Sequence, residues 1–166
     1  MKVQLVANLA ANGELILMAQ SDAYEAPEEV SGMGFGTAMK CGNAIMGLTT
    51  YQLFSQIMKE VFDALDVVVL NPEEVEGDVY TAKSPEDAVH YLEGKGYDTA
   101  CVVGGAMTYN SFFAAGLADE LFFNLFPVVI GGGGTLETTP GSTLGGYRLA
   151  EVKACGDVAM THFVRE

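Results

Sequence analysis

The stretch Thr99-Ala-Cys-Val-Val-Gly-Gly-Ala-Met-Thr-Tyr109 contains the transition that decides the fold. Residues 99–103 are a short apolar run that predicts a buried strand, and two glycines follow it directly. Residues 108–115 then have helical spacing, and Gly116 is placed to end that helix. A strand that leads through a glycine turn into a helix is the repeating unit of a parallel sheet with crossover helices.

The same alternation occurs towards the N-terminus. Apolar runs at residues 2–8, 44–47 and 67–70 predict strands, and the β-branched run 67–70 is typical of a strand covered on both faces. Residues 50–65 have helical spacing, with Leu53, Phe54, Ile57, Met58, Val61 and Leu65 predicted on one face. A second helix is predicted to begin at Ser84-Pro-Glu-Asp87, because serine is a good N-cap and proline suits the first helical turn.

The C-terminal third has a different pattern. Residues 120–130 predict a long apolar strand, and a loop of four glycines follows at 131–134. Residues 147–154 and 158–165 alternate around Cys155-Gly-Asp157, which predicts an antiparallel hairpin. The prediction is therefore an α/β fold of one domain, residues 1–166. Its mixed, mostly parallel sheet is flanked by helices and ends in a C-terminal antiparallel hairpin.

Charge and composition narrow the class of partner. The 166 residues include 8 Lys+Arg and 22 Asp+Glu, and the net charge of −14 disfavours nucleic acid and anionic membranes as partners. No apolar run is long enough for a membrane helix, and the N-terminus does not resemble a signal peptide. Three scattered cysteines and two distant histidines form no metal-ligand motif. We therefore expect a cytoplasmic protein with reduced thiols that acts on a small molecule and holds no metal.

Three predicted strand ends could bind an anion. They are Gly47-Leu-Thr-Thr50, Leu70-Asn71-Pro72 and Gly104-Gly105-Ala106, and the first and third lead directly into helices. Helix N-termini offer free N–H groups, and glycine lets a phosphate approach the backbone closely. The alternative is that these glycines only serve tight turns, since neither a GxGxxG nor a GxxxxGK[ST] motif is present.

Several segments resemble one known group of reductases. Residues 41–51 (CGNAIMGLTTY) resemble the "vIMGrkTy" segment of dihydrofolate reductases and of the reductase domain of bacterial riboflavin deaminase-reductases. Residues 102–109 (VVGGAMTY) resemble their "vxGGaxly" segment. Residues 116–121 (GLADEL), with Phe126-Pro127 and the glycines at 131–133, resemble "GLvDEl…P…GgG" of the riboflavin type.

The resemblance implies a dihydrofolate-reductase-like fold that binds NADPH or NADH and transfers hydride to a small, heterocyclic substrate. The positions that it places beside the cofactor are Ala7, Asn8, Gly47, Leu48, Thr49, Thr50, Leu70, Asn71, Gly104, Gly105, Ala106, Met107 and Thr108. Met33 and Phe35 are the candidates for the substrate pocket.

The sequence also departs from the family pattern. Leu48 stands where the family commonly has a base for the 2′-phosphate of NADPH, and Lys40, Lys83 or Lys95 are the possible substitutes. If Phe35 is the aromatic residue of the first helix, Ser31 stands where folate reductases have an acid.

No catalytic residue is therefore identified, and Asn12, Glu28 and Glu29 are the candidates. Three alternatives stay open. They are a dihydrofolate reductase, the 5-amino-6-(5-phosphoribosylamino)uracil reductase of riboflavin biosynthesis, and a non-catalytic binding protein. The shortage of bases speaks against the phosphorylated uracil.

A homodimer is a further expectation. The C-terminal hairpin leaves an open sheet edge, and the pairs Phe112/Phe113 and Phe122/Phe123 are unusually aromatic.

Overall fold

Eight strands and six helices make up the part of the chain that the computed structural model describes, residues 1–16 and 24–166. The strands are β1 (Lys2–Ala10), β2 (Asn43–Gly47), β3 (Asp66–Leu70), β4 (Tyr80–Ala82), β5 (Thr99–Gly104), β6 (Glu120–Phe126), β7 (Tyr147–Cys155) and β8 (Val158–Arg165). The helices are α1 (Glu28–Ser31), α2 (Met33–Cys41), α3 (Leu48–Ile57), α4 (Lys59–Asp63), α5 (Pro85–Gly94) and α6 (Ala106–Ala114).

The strands form one sheet in the order β4-β3-β2-β5-β1-β6-β8-β7. Strands β1 to β6 pair in parallel, whereas β8 is antiparallel to both β6 and β7. This arrangement confirms the predicted α/β fold with a mostly parallel sheet and a C-terminal hairpin. The long hairpin strand β7 lies at the edge of the sheet and is exposed along most of its length.

Helices pack on both faces of the sheet. On one face, Leu5 of β1 belongs to a buried cluster that includes Leu92 of α5 and Phe112 of α6. On the other face, Val6 of β1 packs in a cluster with Ala38 of α2. Successive residues of β1 thus enter opposite cores, as the two-residue period of a strand requires.

The start of α5 agrees with its prediction. The Ser84 hydroxyl accepts a hydrogen bond from the Asp87 backbone N–H at 3.1 Å, and Pro85 occupies the first helical turn. Residues 28–31, in an acidic segment with no helical pattern, form the short helix α1.

The single helix predicted over residues 50–65 is wrong. Two helices, α3 and α4, replace it, and Met58 between them has the non-helical dihedrals φ −121° and ψ 41°. The break changes the helical phase after Met58, and Phe62 of α4 is buried, whereas Leu53 and Ile57 of α3 are 45% and 62% exposed. The predicted apolar face is therefore not one continuous face.

The strand predicted over residues 120–130 is too long. Strand β6 ends at Phe126, which is paired with Ala10, the last residue of β1. Pro127 follows and has no N–H to donate, so the regular ladder stops there. Beyond it, a single hydrogen bond joins the Ala11 N–H to the Val128 carbonyl at 2.8 Å. The sequence also has an apolar run at residues 15–18, and residues 17 and 18 of it lie outside the described residues. Its first residue, Leu15, forms isolated bridges with Leu9 and Gly134.

Candidate active site

The three glycine- or turn-marked strand ends lie on one edge of the sheet. Gly47 of β2 is opposite Leu70 of β3, and Met46 of β2 is opposite Gly104 of β5. In open parallel sheets ligands bind beyond this carboxyl edge. The predicted cofactor residues from three separate segments are thus neighbours in space.

Two helices begin at this edge directly after their strands. Gly47 is the extended N-cap residue of α3, and Gly105 is the extended N-cap residue of α6. Within the described chain, no side chain caps either helix. The first-turn N–H groups of both helices are therefore left for a ligand, and both dipoles favour a negative one.

Glycine and threonine bring these two helix starts together. A Cβ atom at Gly47 would lie 2.9 Å from Oγ1 of Thr108, and one at Gly104 would lie 3.4 Å from Oγ1 of Thr50. Gly104 also has a φ of +147°, which side chains rarely adopt, and the Gly104–Gly105 peptide is cis. The result is a cradle of backbone and hydroxyl groups with no bulky side chain at its glycines.

The four-glycine loop lies against the same helix. A Cβ atom at Gly134 would lie 2.8 Å from Cβ of Ala106, the first residue of α6. The Asn110 side chain of α6 holds the next residues, since it donates to the Thr135 carbonyl and accepts from the Glu137 N–H, both at 2.9 Å. Sequence reasoning noted this loop only as part of a motif and missed its contact with Ala106. The run of four glycines was the available signal.

The remaining predicted cofactor residues have varied surroundings. Ala7 is buried in the sheet, whereas Thr49 and Met107 are exposed on the first turns of α3 and α6. Leu48 packs against the core beneath α2. Asn71 follows β3 and donates from its side chain to the Glu73 carbonyl at 2.8 Å.

A pair of asparagines lies where β1 and β6 run side by side. Asn124 is opposite Asn8, and its Nδ2 donates to Oδ1 of Asn8 at 2.9 Å. The same Nδ2 is 3.4 Å from the sulfur of Met33. Asn124 is fully buried, and its Oδ1 has no hydrogen-bond partner among the described residues. Sequence reasoning missed Asn124, although a polar residue in the apolar run of β6 was a usable signal.

An open cleft of about 560 Å³ lies between the α1–α2 segment and the hairpin end of the sheet. Met33 lines this cleft, as do Lys40 and Cys41 at the far end of α2. Phe35 is not among its lining residues and instead packs in an aromatic cluster, 5.3 Å from the ring of Phe54. The two candidates for the substrate pocket thus lie on different sides of α2.

Several charged residues around the cleft form ion pairs and hydrogen bonds with one another. Lys153 of β7 lies 2.5 Å from the Glu29 carboxylate, and this contact lowers the pKa of Glu29. Glu120 accepts hydrogen bonds from Lys2 and Gln4 at 2.8 and 2.7 Å. Burial alone would raise the pKa of Glu120, but those two hydrogen bonds together with the nearby charges of Lys2 and His162 outweigh it, and the pKa is lowered.

The candidate catalytic residues lie in two separate places, Asn12 after β1 and the neighbours Glu28 and Glu29 in α1. Asn12 bonds both polar groups of the Ile130 backbone through its side chain, at 2.9 and 3.4 Å. Glu29 is engaged with Lys153, and Glu28 is exposed in the first turn of α1. None of the three lies among the glycines of the cradle.

Comparison with known proteins identifies the family. The sequence profile of the RibD C-terminal domain family matches residues 49–161, which is more than half of the chain. The chain belongs to this family. The resemblance to riboflavin-type reductases is thereby confirmed, and the RibD C-terminal domain is a reductase domain. No curated protein gives a significant match.

Solved structures share the fold of this RibD C-terminal family member. One is a protein provisionally assigned to riboflavin biosynthesis from Shewanella sp. PV-4, with a TM-score of 0.79 and 19% identity over 100% of this chain and 99% of that one. Another is a pyrimidine reductase-like protein from Corynebacterium diphtheriae, with a TM-score of 0.73 and 9% identity over 98% of this chain and 91% of that one. Both likenesses concern the dihydrofolate-reductase-like fold.

None of the helices in the described ranges is long and apolar enough to span a bilayer.

Proposed function

We propose that this chain is a reductase that binds NADPH or NADH at the carboxyl edge of its sheet and reduces a small heterocycle of the pyrimidine kind. The observation that carries the proposal is the cradle between the two uncapped helix starts, where glycine Cβ atoms would crowd Thr50 and Thr108. Membership of a reductase family supports it.

Of the parts of the cofactor, the diphosphate is the one that the residues of the cradle fit best. The first-turn N–H groups of α3 and α6 would bind phosphate oxygens, and the hydroxyls of Thr50 and Thr108 would add hydrogen bonds. This mode suits a chain with only 8 Lys+Arg, because backbone groups replace charged side chains. The bound cofactor supplies the hydride, while the protein orients it and excludes water.

The proton for the reduction is proposed to come from a water molecule. The Asn12 side chain is occupied by the Ile130 backbone, and Glu29 is paired with Lys153. Glu28 is exposed and lies apart from the cradle glycines. A water molecule held near the Asn8–Asn124 pair could donate this proton directly, so the site would need no acidic side chain as proton donor.

Leu48 stands where the family commonly has a base for the 2′-phosphate of NADPH, and Lys83 is the lysine best placed to bind that phosphate instead. It follows β4 at the carboxyl edge, where its Nζ lies 3.0 Å from Glu74. Lys95 pairs with Asp66 at the opposite edge, and Lys40 lines the cleft. We therefore expect Lys83→Ala to weaken NADPH binding by roughly threefold to tenfold and NADH binding by less than twofold, since only NADPH carries the 2′-phosphate.

The control for that measurement is Lys59→Ala, whose exposed side chain pairs with Asp63 on α4. Equal losses for both nucleotides in the Lys83→Ala protein, or no loss for either, would remove Lys83 from the 2′-phosphate site.

The proposed function is tested by titrating the full chain with NADPH and with NADH. Because the sequence has no tryptophan, binding is best followed by thermal shift and by the fluorescence of the reduced nicotinamide itself. We expect saturable binding of at least one nucleotide at micromolar to submillimolar concentration. Absence of any response at millimolar concentration would refute the cofactor assignment.

Substrate assays then separate the alternatives. The cleft offers Lys40 and Lys153 but also Glu29 and Glu151, so its charges do not favour a phosphate. We therefore expect oxidation of the nucleotide with a dephosphorylated 5-amino-6-ribosylaminouracil at least as fast as with its 5′-phosphate. Turnover of dihydrofolate would instead indicate a folate reductase, and nucleotide binding with no turnover would favour a binding protein.

We further propose a homodimer through β7. This edge strand carries Leu149 and Val152, which are 50% and 59% exposed. In an antiparallel pair centred on Val152, Glu151 of each copy would face Lys153 of the other, which is a favourable cross-strand charge match. The aromatic pairs contribute less than the sequence suggested, because Phe112 is fully buried and Phe122 stacks on His162 in its own chain.

Light scattering tests the dimer. We expect twice the chain mass for the native protein and a shift to monomer for Val152→Lys, since two opposed lysines would repel. Val129→Lys, at a position 79% exposed outside the strands, is the matched control. A monomeric native protein would contradict the proposal.

A further inference from the structure

Two asparagine side chains hold the four-glycine loop at its two ends. Before the loop, Asn12 donates to the Ile130 carbonyl at 2.9 Å and accepts from the Ile130 N–H at 3.4 Å. After the loop, Asn110 of α6 donates to the Thr135 carbonyl and accepts from the Glu137 N–H, both at 2.9 Å. Each amide therefore uses both its donor and its acceptor on main-chain groups, and the glycines lie between two fixed points.

The second half of the loop is packed and the first half is exposed. A Cβ atom at Gly133 would lie 2.5 Å from the Leu15 carbonyl oxygen, and one at Gly134 would lie 2.8 Å from Cβ of Ala106. The Leu15 N–H also donates to the Gly134 carbonyl at 2.7 Å. In contrast, a Cβ atom at either of the first two glycines would meet none of the described residues within 4 Å, and both are exposed. The loop thus presents two exposed glycines from a fixed base.

The loop bounds the cradle on the side of β1. Ala106 is the first residue of α6 and follows Gly105 of the cradle, and Leu15 forms a bridge with Leu9 of β1. In the sheet, β1 is next to β5 on the side opposite β2, and Gly47 of β2 begins the α3 half of the cradle. Along the carboxyl edge, the start of α6 therefore lies between the start of α3 and the glycine loop.

The nicotinamide is the half of the dinucleotide that must lie on this side. A diphosphate between the two helix starts directs one nucleoside towards β3 and the other towards β1. Hydride transfer needs the nicotinamide beside the substrate, and the cleft lies over β1 and β6, where Gln4 and Phe122 line it. The cleft is on the α2 side of the sheet, whereas the glycine loop contacts α6, which packs on the other face. A nicotinamide ring at this edge would thus have the substrate on one side and the glycine loop on the other.

We propose that Asn12 and Asn110 are positioning residues that hold the four-glycine loop against the nicotinamide half of the bound dinucleotide. The inference rests on the proposed function, because it assumes a nucleotide in the cradle. Both side chains act through the loop, since each bonds main-chain groups of the β6–β7 connection. The exposed glycines let the nicotinamide approach the main chain closely, and a loop that is fixed beforehand loses less conformational entropy on binding. Asn12 thereby has a positioning role rather than the catalytic one that the sequence left open.

The test compares NADH with ADP-ribose, which has the same adenosine and diphosphate but no nicotinamide. In Asn110→Ala and in Asn12→Ala, we expect the Kd for NADH to rise at least about fivefold and the Kd for ADP-ribose to change by less than about twofold, because only the nicotinamide reaches the loop. Titration calorimetry of the full chain measures both ligands, and NADPH with 2′-phospho-ADP-ribose is the equivalent pair if the chain prefers NADPH. A merely structural role would weaken both ligands of a pair equally.

The matched control is Ser142→Ala, which removes an exposed hydrogen bond to the Thr139 carbonyl elsewhere in the same connection. It should bind every ligand as the native protein does. Hydrogen exchange of the nucleotide-free proteins gives a second measurement, in which residues 128–137 should exchange faster in the two asparagine variants than in the native protein or the control.

The outcomes separate this inference from the proposed function. If the native chain binds neither NADH nor NADPH, the proposed function fails and this inference fails with it. If the native chain binds a nucleotide, three results would overturn this inference alone: native affinity for that nucleotide in both asparagine variants, an equal loss of ADP-ribose, or unchanged hydrogen exchange of the loop.

Discussion

Replacing Gly47 by alanine is expected to weaken dinucleotide binding at least about tenfold while leaving the sheet intact. The added methyl group would lie 2.9 Å from the buried Thr108 hydroxyl, so the start of α3 or of α6 must shift by several tenths of an ångström. Two helix starts that bind one diphosphate depend on their mutual position, and about 1.4 kcal/mol of lost binding is a tenfold effect. Gly47 has a φ of −81°, so alanine introduces no left-handed backbone strain there.

The measurement is the nucleotide dissociation constant of Gly47→Ala beside that of Gly94→Ala. Gly94 ends α5, and a Cβ atom there would meet nothing within 4 Å. We expect the control to bind as the native protein does. Native affinity in the Gly47→Ala protein would show that the diphosphate lies elsewhere, whereas loss of binding in both variants would indicate a general effect on the fold.

Replacing Asn43 by alanine is expected to cost about 3–4 kcal/mol of unfolding free energy. The side chain is fully buried and bonds three backbone groups, those of Cys41, Thr99 and Cys101. Alanine leaves these groups without that partner, and the Cys101 N–H among them is buried, where a lost partner costs about 1–3 kcal/mol. The stretch from α2 to β2 would lose its link to β5.

Urea denaturation checks this prediction, with Asn71→Ala as the control. The Asn71 side chain makes one exposed hydrogen bond, to the Glu73 carbonyl, and its loss should cost less than about 1 kcal/mol. A loss below 1 kcal/mol for Asn43→Ala as well would mean that neighbouring groups replace its hydrogen bonds.

The local sequence pattern was sufficient to predict an element wherever nearby residues determine its structure. The β-branched run 67–70 is strand β3, and Ser84 caps α5 as its sequence indicated. The alternating runs around residues 155–157 form the β7–β8 hairpin. In each case the hydrophobic period or the capping group lies within a few residues of the element that it determines.

Pattern failed where a distant neighbour decides. Strand β6 ends at Phe126 because β1 ends beside it, and the break at Met58 turns Phe62 into the core. Ala10, which lies opposite Phe126, and Val6, which shares the buried cluster of Phe62, are both distant in sequence, so no local period reports them. Likewise, Leu53 and Ile57 fit a helical apolar face and are nevertheless exposed.

The candidate site divides in the same way. Glycines after two strands and the Asn71-Pro72 turn after a third predicted from the sequence alone that Gly47, Leu70 and Gly104 share one edge, because parallel strands end on the same side of their sheet. Only the tertiary structure placed Thr108 against Gly47, since that contact depends on how α6 packs beside β2.

The acidic composition by itself predicted that few bases would help to bind an anion. It could not tell which bases remain free, because pairing joins residues far apart along the chain, such as Lys153 with Glu29 and Lys2 with Glu120. The sequence thus determined the hydrophobic periods of the strands and helices, the turns between them, and the carboxyl edge of the sheet as the candidate site for a dinucleotide. The tertiary structure alone decided the cleft, the charge pairs and the contact of Gly47 with Thr108, because each depends on long-range packing that no local spacing records.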